Sequence, residues 1–226
     1  MKKLILFDID GTLIQGSKAH HDSFSIAFKK VFGIDARIEE IVHAGKTDRR
    51  IIVEMLTKKG IEKNEIEKNF SRICKNMVDY FKRNLEKDPW FKPIPNSKKL
   101  VKELAKDENN ILGILTGNLK EIAKFKLKKV SLIKYFKIIG SGETSEDRNQ
   151  VLKKTVELAE KKFKTKFSRN QIFIIGDTPY DIECKKFGKV IAVATGSYNH
   201  KILKKYNPDF IFKNFLDLNK ILKIFV

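Results

Sequence analysis

LILFDIDGT, at residues 4–12, joins a fully apolar run to two aspartates and a glycine. An apolar run of this length with acidic residues directly after it is typical of a buried parallel strand that ends in a tight turn. Gly11 permits a sharp turn and lets backbone N–H groups approach an anion. The stretch therefore predicts a buried first strand with two carboxylates, Asp8 and Asp10, at its carboxyl end.

Further apolar runs follow along the chain, and each ends at a Gly, Thr or Asp cluster: residues 111–115, 172–175 and 190–193. Between them, apolar residues recur at the three- and four-residue spacing of helices, over 120–130, 151–162 and 180–187. Residues 209–212 predict an edge strand, followed by a helix over 216–224. Alternating strands and helices predict an α/β fold, a doubly wound parallel sheet with helices on both faces.

Residues 16–90 break this alternation, because they contain helical patterns without a strand: 21–32, 38–44, 49–59 and 64–85. We interpret this block as an inserted α-helical cap over the carboxyl end of the first strand. Its expected hinges are residues 14–17 and the proline-rich stretch 88–95. The predicted organisation is a core of residues 1–15 and 91–226 with a cap domain of residues 16–90.

The composition is that of a globular protein, with 42% hydrophobic residues, but the net charge is +19. The charge comes from scattered lysines, and the densest stretches, 120–137 and 153–169, predict helices with basic solvent-facing sides, so nucleic acid is a disfavoured partner. No apolar run approaches the ~20 residues of a membrane span. The first apolar run stops at Asp8, which is too early for a signal peptide. The two cysteines, Cys74 and Cys184, are expected to be reduced thiols. We therefore expect a cytoplasmic protein without a membrane partner.

Asp8 and Asp10 can point into one space, where mutual repulsion favours one protonated and one ionised carboxyl group. Such a pair suits a nucleophile, Asp8, beside a general acid and base, Asp10, although aspartates also simply favour turns. A second strand end, GDTPYD at residues 176–181, adds Asp177 and Asp181. Clustered carboxylates without a cation are costly, and Mg²⁺ prefers hard oxygen ligands. Asp181 also fits the first turn of a helix, where an acid interacts favourably with the helix dipole.

A third strand end, Thr116-Gly117-Asn118, offers a hydroxyl group and N–H groups to a phosphoryl oxygen. Taken alone, Thr116 is better explained as a neighbour of a helix N-cap than as a ligand. In open parallel sheets the active site lies beyond the carboxyl ends of the strands. Because Thr116 directly follows an apolar strand, we expect it at the same end of the sheet as the acidic residues.

These residues together resemble the haloacid dehalogenase (HAD) superfamily. Residues 8–12 match its DxDGT nucleophile motif, Thr116 its second motif, and residues 176–181 its metal-binding motif in the subgroup of phosphoglycolate phosphatase and β-phosphoglucomutase. The resemblance spans the chain in the right order and implies a Rossmann-like core with a helical cap inserted after the first motif. It also implies that Mg²⁺ is held by Asp8, Asp177 and the backbone carbonyl of Asp10, and that Asp181 orients the metal site.

The resemblance further implies the residues that contact the substrate. The phosphoryl oxygens are expected to meet Thr116 and the loop residues Gly11, Thr12, Gly117 and Asn118. The family usually supplies a lysine at the start of a later helix, and this chain has none there before Lys153. Arg148 is the predicted replacement, with Lys153 and Lys154 as alternatives.

Within the cap, residues 45–48 (GKTD) resemble the loop that contacts the leaving group, which makes Lys46 a predicted substrate-binding residue; the alternative is a surface turn with a helix N-cap. The predicted function is a Mg²⁺-dependent phosphatase that hydrolyses a small phosphorylated metabolite through an aspartyl-phosphate, as a monomer or homodimer. A phosphosugar mutase stays open as an alternative, since His20 lies where β-phosphoglucomutase has a hinge-region histidine. A nucleic-acid-binding module on a degenerate hydrolase fold is a distant third.

Overall fold

The computed structural model describes residues 1–225 and contains one six-stranded sheet in which every pair of neighbouring strands is parallel. The strand order is β3-β2-β1-β4-β5-β6. The strands are β1 (Lys3–Phe7), β2 (Asn110–Leu115), β3 (Ile138–Gly140), β4 (Ile172–Gly176), β5 (Lys189–Val193) and β6 (Phe210–Phe212). The predicted α/β class with a doubly wound parallel sheet is confirmed.

Helices cover both faces of the sheet, so the central strands are buried on both sides and consist of apolar residues throughout. Along β1, Ile5 and Phe7 belong to one hydrophobic core, whereas Leu4 and Leu6 belong to the other. The first core includes apolar residues of α4 (Ser97–Leu104), α5 (Lys120–Lys129) and α9 (Leu218–Leu222). The second includes those of α6 (Arg148–Phe163), α7 (Pro179–Ile182) and α8 (His200–Lys205).

β1 pairs with β2 on one side and with β4 on the other, so the strand order reverses at β1. In open parallel sheets, a crevice forms beyond the carboxyl ends of the strands at such a reversal. Asp8, Thr116 and Asp177 each follow directly after one of these three strands. The topology alone therefore brings the three predicted strand-end residues to one crevice.

A third hydrophobic core lies within the block between β1 and α4. It is built mainly from α1 (Lys18–Phe32), α2 (Asp48–Lys58) and α3 (Lys63–Asn84), and it also takes in Leu119 and Ile122 at the start of α5. The block is helical, as expected. Its assignment as a cap domain of residues 16–90 remains a prediction.

The two connections between this block and the sheet lie side by side. The Gln15 N–H donates to the carbonyl of Lys92 at 2.8 Å, and the Ile94 N–H donates to the carbonyl of Leu13 at 3.0 Å. Asp88 accepts from the hydroxyl of Ser17 at 2.5 Å and from the N–H of Ala19 at 2.9 Å. Both predicted hinge stretches are thus joined to one another by hydrogen bonds.

Some sequence expectations for secondary structure were wrong. The predicted helix over 38–44 is only a 3-10 turn, Ile38–Glu40, because Ile38 is its one buried residue and Ile41 is already extended. β3 and α4 were missed: β3 has three residues, too few for a periodic pattern, and α4 begins directly after the proline-rich stretch. None of the helices in residues 1–225 has the length and apolar character required to cross a membrane.

Candidate active site

Three buried carboxylates meet in the crevice beyond β1 and β4. Asp8 follows β1, Asp177 follows β4, and Asp181 lies in the first turn of α7. One oxygen of each lies within 4.8 Å of one oxygen of the others. Thr12 donates its hydroxyl to Asp177 Oδ1 at 2.9 Å, and Asp181 Oδ2 accepts from the N–H of Thr178 at 3.0 Å. Two of the three carboxylates are therefore oriented by hydrogen bonds from neighbouring loops.

Arg148 contacts this carboxylate cluster from α6, the helix that it begins. Its Nη2 atom lies 3.0 Å from Asp8 Oδ1 and 2.6 Å from Asp181 Oδ1, and it also donates to the carbonyl of Leu115 at 3.0 Å. The side chain is 4% exposed. A cation in the first turn of a helix is unfavourable to the helix dipole, and the two carboxylates offset that cost.

The alternatives to Arg148 lie elsewhere. Lys153 and Lys154 are exposed on α6, and Lys154 Nζ donates to the carbonyl of Thr144 at 3.0 Å. Within the described residues, Arg148 is the one of the three candidate cations in contact with Asp8.

The electrostatics of the cluster are dominated by burial and mutual repulsion. Burial raises the pKa of Asp8, Arg148 opposes that rise, and Asp181 and Asp10 add to it, which brings the pKa to about 7. Burial also raises the pKa of Asp177 well above its ordinary value, and the charges of Asp8 and Asp181 add to the effect. The buried groups thus comprise three carboxylates against one guanidinium, an excess of negative charge that a divalent cation would offset. The donor set fits a hard metal ion.

The carboxylate of Asp10 lies outside that cluster and faces α5. Lys126 Nζ donates to Asp10 Oδ1 at 2.8 Å and to Oδ2 at 2.6 Å, and Asn118 Nδ2 donates to Oδ2 at 2.8 Å. Burial acts to raise the pKa of Asp10, but the charge of Lys126, together with these hydrogen bonds, holds it below its ordinary value. The side chain of Asp10 therefore lies in a different environment from that of Asp8.

A basic, solvent-facing side was expected for residues 120–137, and Lys126, which is 0% exposed, was not singled out. The signal was present in the sequence. Ile122, Ala123 and Leu127 lie on the buried face of α5, and helical spacing puts residue 126 on that same face. Lys126 therefore occupies a position of α5 where an apolar residue is expected, and this distinguishes it from the exposed lysines of the same helix.

The residues expected around the phosphoryl group are all buried, but only some of them line the cavity. Gly11 and Gly117 line the cavity with Asn118. Gly11 has a φ of +78°, and a Cβ atom there would collide with the carboxylate of Asp177, so only glycine fits. Thr116 is buried, and its hydroxyl accepts from the N–H of Asn118 at 3.3 Å. Thr12 is also buried, with its hydroxyl on Asp177.

The loop of residues 45–48 contacts the strand ends directly. The Asp48 N–H donates to the carbonyl of Gly117 at 2.7 Å, and Arg148 Nη1 lies 3.4 Å from the carbonyl of Gly45. Lys46 lines the cavity, but its Nζ is 2.6 Å from Glu54 Oε2. Thr47 is indeed the N-cap of α2, so the loop is a helix cap as well as a wall of the cavity.

The cavity between the helical block and the strand ends has a volume of about 610 Å³. Asp8, Asp10 and Arg148 lie on the sheet side. The opposite wall includes His21, whose ring packs edge to face against both His43 and Trp90. Its size and mixed polar and aromatic lining suit a small organic molecule.

A family model described as haloacid dehalogenase-like hydrolase matches residues 5–194, a range that includes Asp8, Thr116 and Asp177. The chain belongs to this hydrolase family. The predicted resemblance and the expectation of an enzyme are thereby confirmed.

Several relatives match nearly the whole chain. A protein of Caldanaerobacter subterraneus subsp. tengcongensis, provisionally named pyrophosphatase PpaX, is 28% identical over 97% of this chain and 94% of its own. Phosphoglycolate phosphatase of Aquifex aeolicus is 27% identical over 97% and 96%. The crystal structure of a predicted phosphoglycolate phosphatase from Haemophilus somnus, 23% identical, covers 98% of both chains with a TM-score of 0.69, which shows the fold.

Proposed function

We propose that this protein is a Mg²⁺-dependent phosphatase that hydrolyses a small phosphomonoester through a phosphorylated Asp8. The observation that carries the proposal is the position of Asp8 at the reversal of strand order, 3.0 Å from Arg148 and beside a second, separately held aspartate. Phosphatase names among the relatives support it. We further propose a cytoplasmic enzyme, monomeric or homodimeric, with the cap of residues 16–90 over its cavity.

The proposed reaction has two steps. In the first, Asp10 carries a proton in the substrate complex; an oxygen of Asp8 attacks phosphorus, the bond to the leaving oxygen breaks, and the proton passes from Asp10 to that oxygen. In the second, Asp10 takes a proton from a water molecule, which attacks the phosphorus and releases phosphate and the Asp8 carboxylate. Arg148 contacts Asp8 Oδ1 and would bind the charge on the transferring group, with Thr116 and the N–H groups of the loops.

The residues proposed to hold Mg²⁺ are Asp8 and Asp177, with the carbonyl of Asp10, while Asp181 orients the site through Arg148 and Thr178. When bound, the ion would reduce the repulsion between the carboxylates and a phosphate dianion. Thr12 and the backbone around Gly11 keep Asp177 in the orientation that this role requires.

Mg²⁺ is expected to raise the melting temperature of the folded protein, because it binds the native carboxylate cluster and not the unfolded chain. Asp8 has a pKa of about 7 in the metal-free protein, so a proton must leave before the ion binds, and this competition grows as pH falls through 7. The rise should therefore be larger at pH 8 than at pH 6. Thermal denaturation with and without Mg²⁺ at both pH values measures it.

Asp177→Asn serves as the matched variant for that measurement, and Asp209→Asn, at the far edge of the sheet, as its control. The Mg²⁺-induced rise should vanish in the first and persist in the second. An equal rise in both variants would show that the ion acts elsewhere on the protein.

A panel of phosphorylated metabolites tests the proposed function and finds the substrate class. It should include 2-phosphoglycolate and pyrophosphate, which the names of the relatives suggest, together with sugar phosphates and 4-nitrophenyl phosphate. The expected result is Mg²⁺-dependent release of phosphate from at least one small monoester. Absence of phosphate release from every compound, with Mg²⁺ present and the protein folded, contradicts the proposal.

A phosphosugar mutase is the second candidate, and the burial of His20 beside the cavity favours it. His20 is 7% exposed, and its Nε2 lies 3.0 Å from Asp48 Oδ2. A mutase would return the phosphoryl group to a sugar instead of to water. Glucose 1-phosphate with catalytic glucose 1,6-bisphosphate distinguishes the two, since a mutase yields glucose 6-phosphate and a phosphatase yields free phosphate.

A further inference from the structure

Lys126 is a fully buried lysine that the proposed reaction does not yet use. It lies on α5, is 0% exposed, and its Nζ atom contacts Asp10, which lines the cavity. Burying an ammonium group is costly unless each of its hydrogens finds an acceptor and its charge finds a partner. Here the charge partner is Asp10, at 2.6 and 2.8 Å.

The three N–H donors of Lys126 are matched by three acceptor groups. Besides Asp10, they are Asn118 Oδ1 at 2.6 Å and His20 Nδ1 at 3.2 Å. Because a lysine ammonium can only donate, His20 Nδ1 must accept, so the ring carries its hydrogen on Nε2 and donates it to Asp48 Oδ2 at 3.0 Å. Asp48 also accepts from the N–H of Leu119 at 2.7 Å.

This set of bonds fixes a carboxylate that would otherwise be free to rotate. The side chain of Asp10 is 31% exposed, at the open edge of the cavity, and both of its oxygens are held from the α5 side by Lys126 and Asn118. His20 and Asp48 lie in the predicted cap, whereas Lys126 and Asn118 lie in the predicted core. The position of Asp10 therefore depends on groups from both parts of the chain.

We propose that Lys126 is a positioning residue for Asp10, which keeps its carboxyl group directed at the leaving oxygen of the substrate. The inference rests on the proposed function, in which Asp10 protonates that oxygen. Lys126 touches no reacting atom and acts only by orienting Asp10. Proton transfer by a well-placed side chain contributes about 10²–10⁴-fold to a rate, so loss of its orientation should be readily measured.

The test compares substrates that differ in their need for a proton. In Lys126→Met, kcat/KM for an alkyl phosphate should fall by about 10²-fold or more, because the alkoxide leaves poorly without protonation. For 4-nitrophenyl phosphate, whose phenolate leaves readily, the fall should be less than about tenfold. The quantity kcat/KM is chosen because it reports the steps up to departure of the leaving group.

A double-mutant cycle separates positioning from a general effect on the fold. If Lys126 acts through Asp10, Lys126→Met should cause little further loss of alkyl phosphate activity in an Asp10→Asn background. Lys128→Met, an exposed neighbour on the same helix, should leave both substrates unchanged. Equal losses for both substrates, or losses that add fully to those of Asp10→Asn, would overturn the proposal.

Two further measurements make the result decisive. Thermal denaturation establishes that each variant is folded at the assay temperature, and Lys126→Gln, which keeps a shorter donor, goes through the same cycle if Lys126→Met does not fold. Asp8→Asn separates a failure of the proposed function from a failure of the role of Lys126. If Asp8→Asn remains active the proposed function fails, whereas an active Lys126→Met beside an inactive Asp8→Asn overturns only the role of Lys126.

Discussion

Replacing Asp8 by asparagine is expected to lower kcat by at least about 10³-fold on every substrate, because the amide keeps the shape of the side chain but cannot attack phosphorus. The melting temperature of the metal-free protein should be unchanged or higher. Burial raises the pKa of Asp8 to about 7, so the ionised carboxylate is unfavourable in the folded state above that pH, and Arg148 retains Asp181 as a partner. Phosphate release and thermal denaturation of the same preparation measure both.

The effect of Asp8→Asn on stability should depend on pH. A carboxyl group whose pKa is raised on folding lowers stability as pH rises from its unfolded value through the folded one, so any stabilisation by Asp8→Asn should be larger at pH 8 than at pH 5. Asp35→Asn, with an exposed carboxylate, should change neither activity nor stability. Activity of Asp8→Asn within tenfold of the wild type would rule out Asp8 as the nucleophile.

Arg148→Ala is expected to lower kcat/KM by about 10²-fold or more, and by a similar factor on all substrates, because the guanidinium is proposed to bind the phosphoryl group that every substrate shares. It should also destabilise the metal-free protein by about 3–5 kcal/mol, since two buried carboxylates lose their common partner. Mg²⁺ should restore part of that loss. Kinetics on a large and a small substrate, with denaturant unfolding in the presence and absence of Mg²⁺, provide the measurements.

Comparison with other basic residues makes this prediction specific. Lys153→Ala and Lys154→Ala change exposed side chains on the same helix and should leave activity intact. Lys46→Ala changes a residue on the opposite wall of the cavity, so it should weaken the best large substrate far more than acetyl phosphate. A silent Arg148→Ala beside an inactive Lys153→Ala or Lys154→Ala would show that another cation binds the phosphoryl group.

The strand ends were predictable from the sequence for a local reason. Each central strand is buried on both faces, so it must be a short, continuous apolar run, and the acidic or hydroxyl residue that ends it is conspicuous. Asp8, Thr116 and Asp177 were found in this way. The parallel arrangement then requires that residues at the carboxyl ends of neighbouring strands meet.

The contact between Arg148 and Asp8 was a hypothesis from position, since Arg148 opens its helix. The structure adds what position could not give, namely the simultaneous contact with Asp181 and the burial of the guanidinium. These depend on how α6 packs against the sheet between β2 and β3, a relation between segments far apart in the chain.

The role of Lys126 could not be predicted from the sequence around it. In composition it is one of many lysines, and its neighbours Lys124 and Lys128 are at least partly exposed. Its helical phase places it inward, but whether a buried lysine is paired depends on residues 106 and 116 positions away, His20 and Asp10. No local pattern encodes such partners.

The sequence by itself determined the fold class, the order of the motifs and the three strand-end residues of the site, because burial and turn formation act over a few neighbouring residues. Only the tertiary structure decided that Asp10 is paired with a buried lysine, and that Lys46 is bonded to Glu54. Side-chain direction is set by the charges and donors that other elements bring near, and those are known only once the chain has folded.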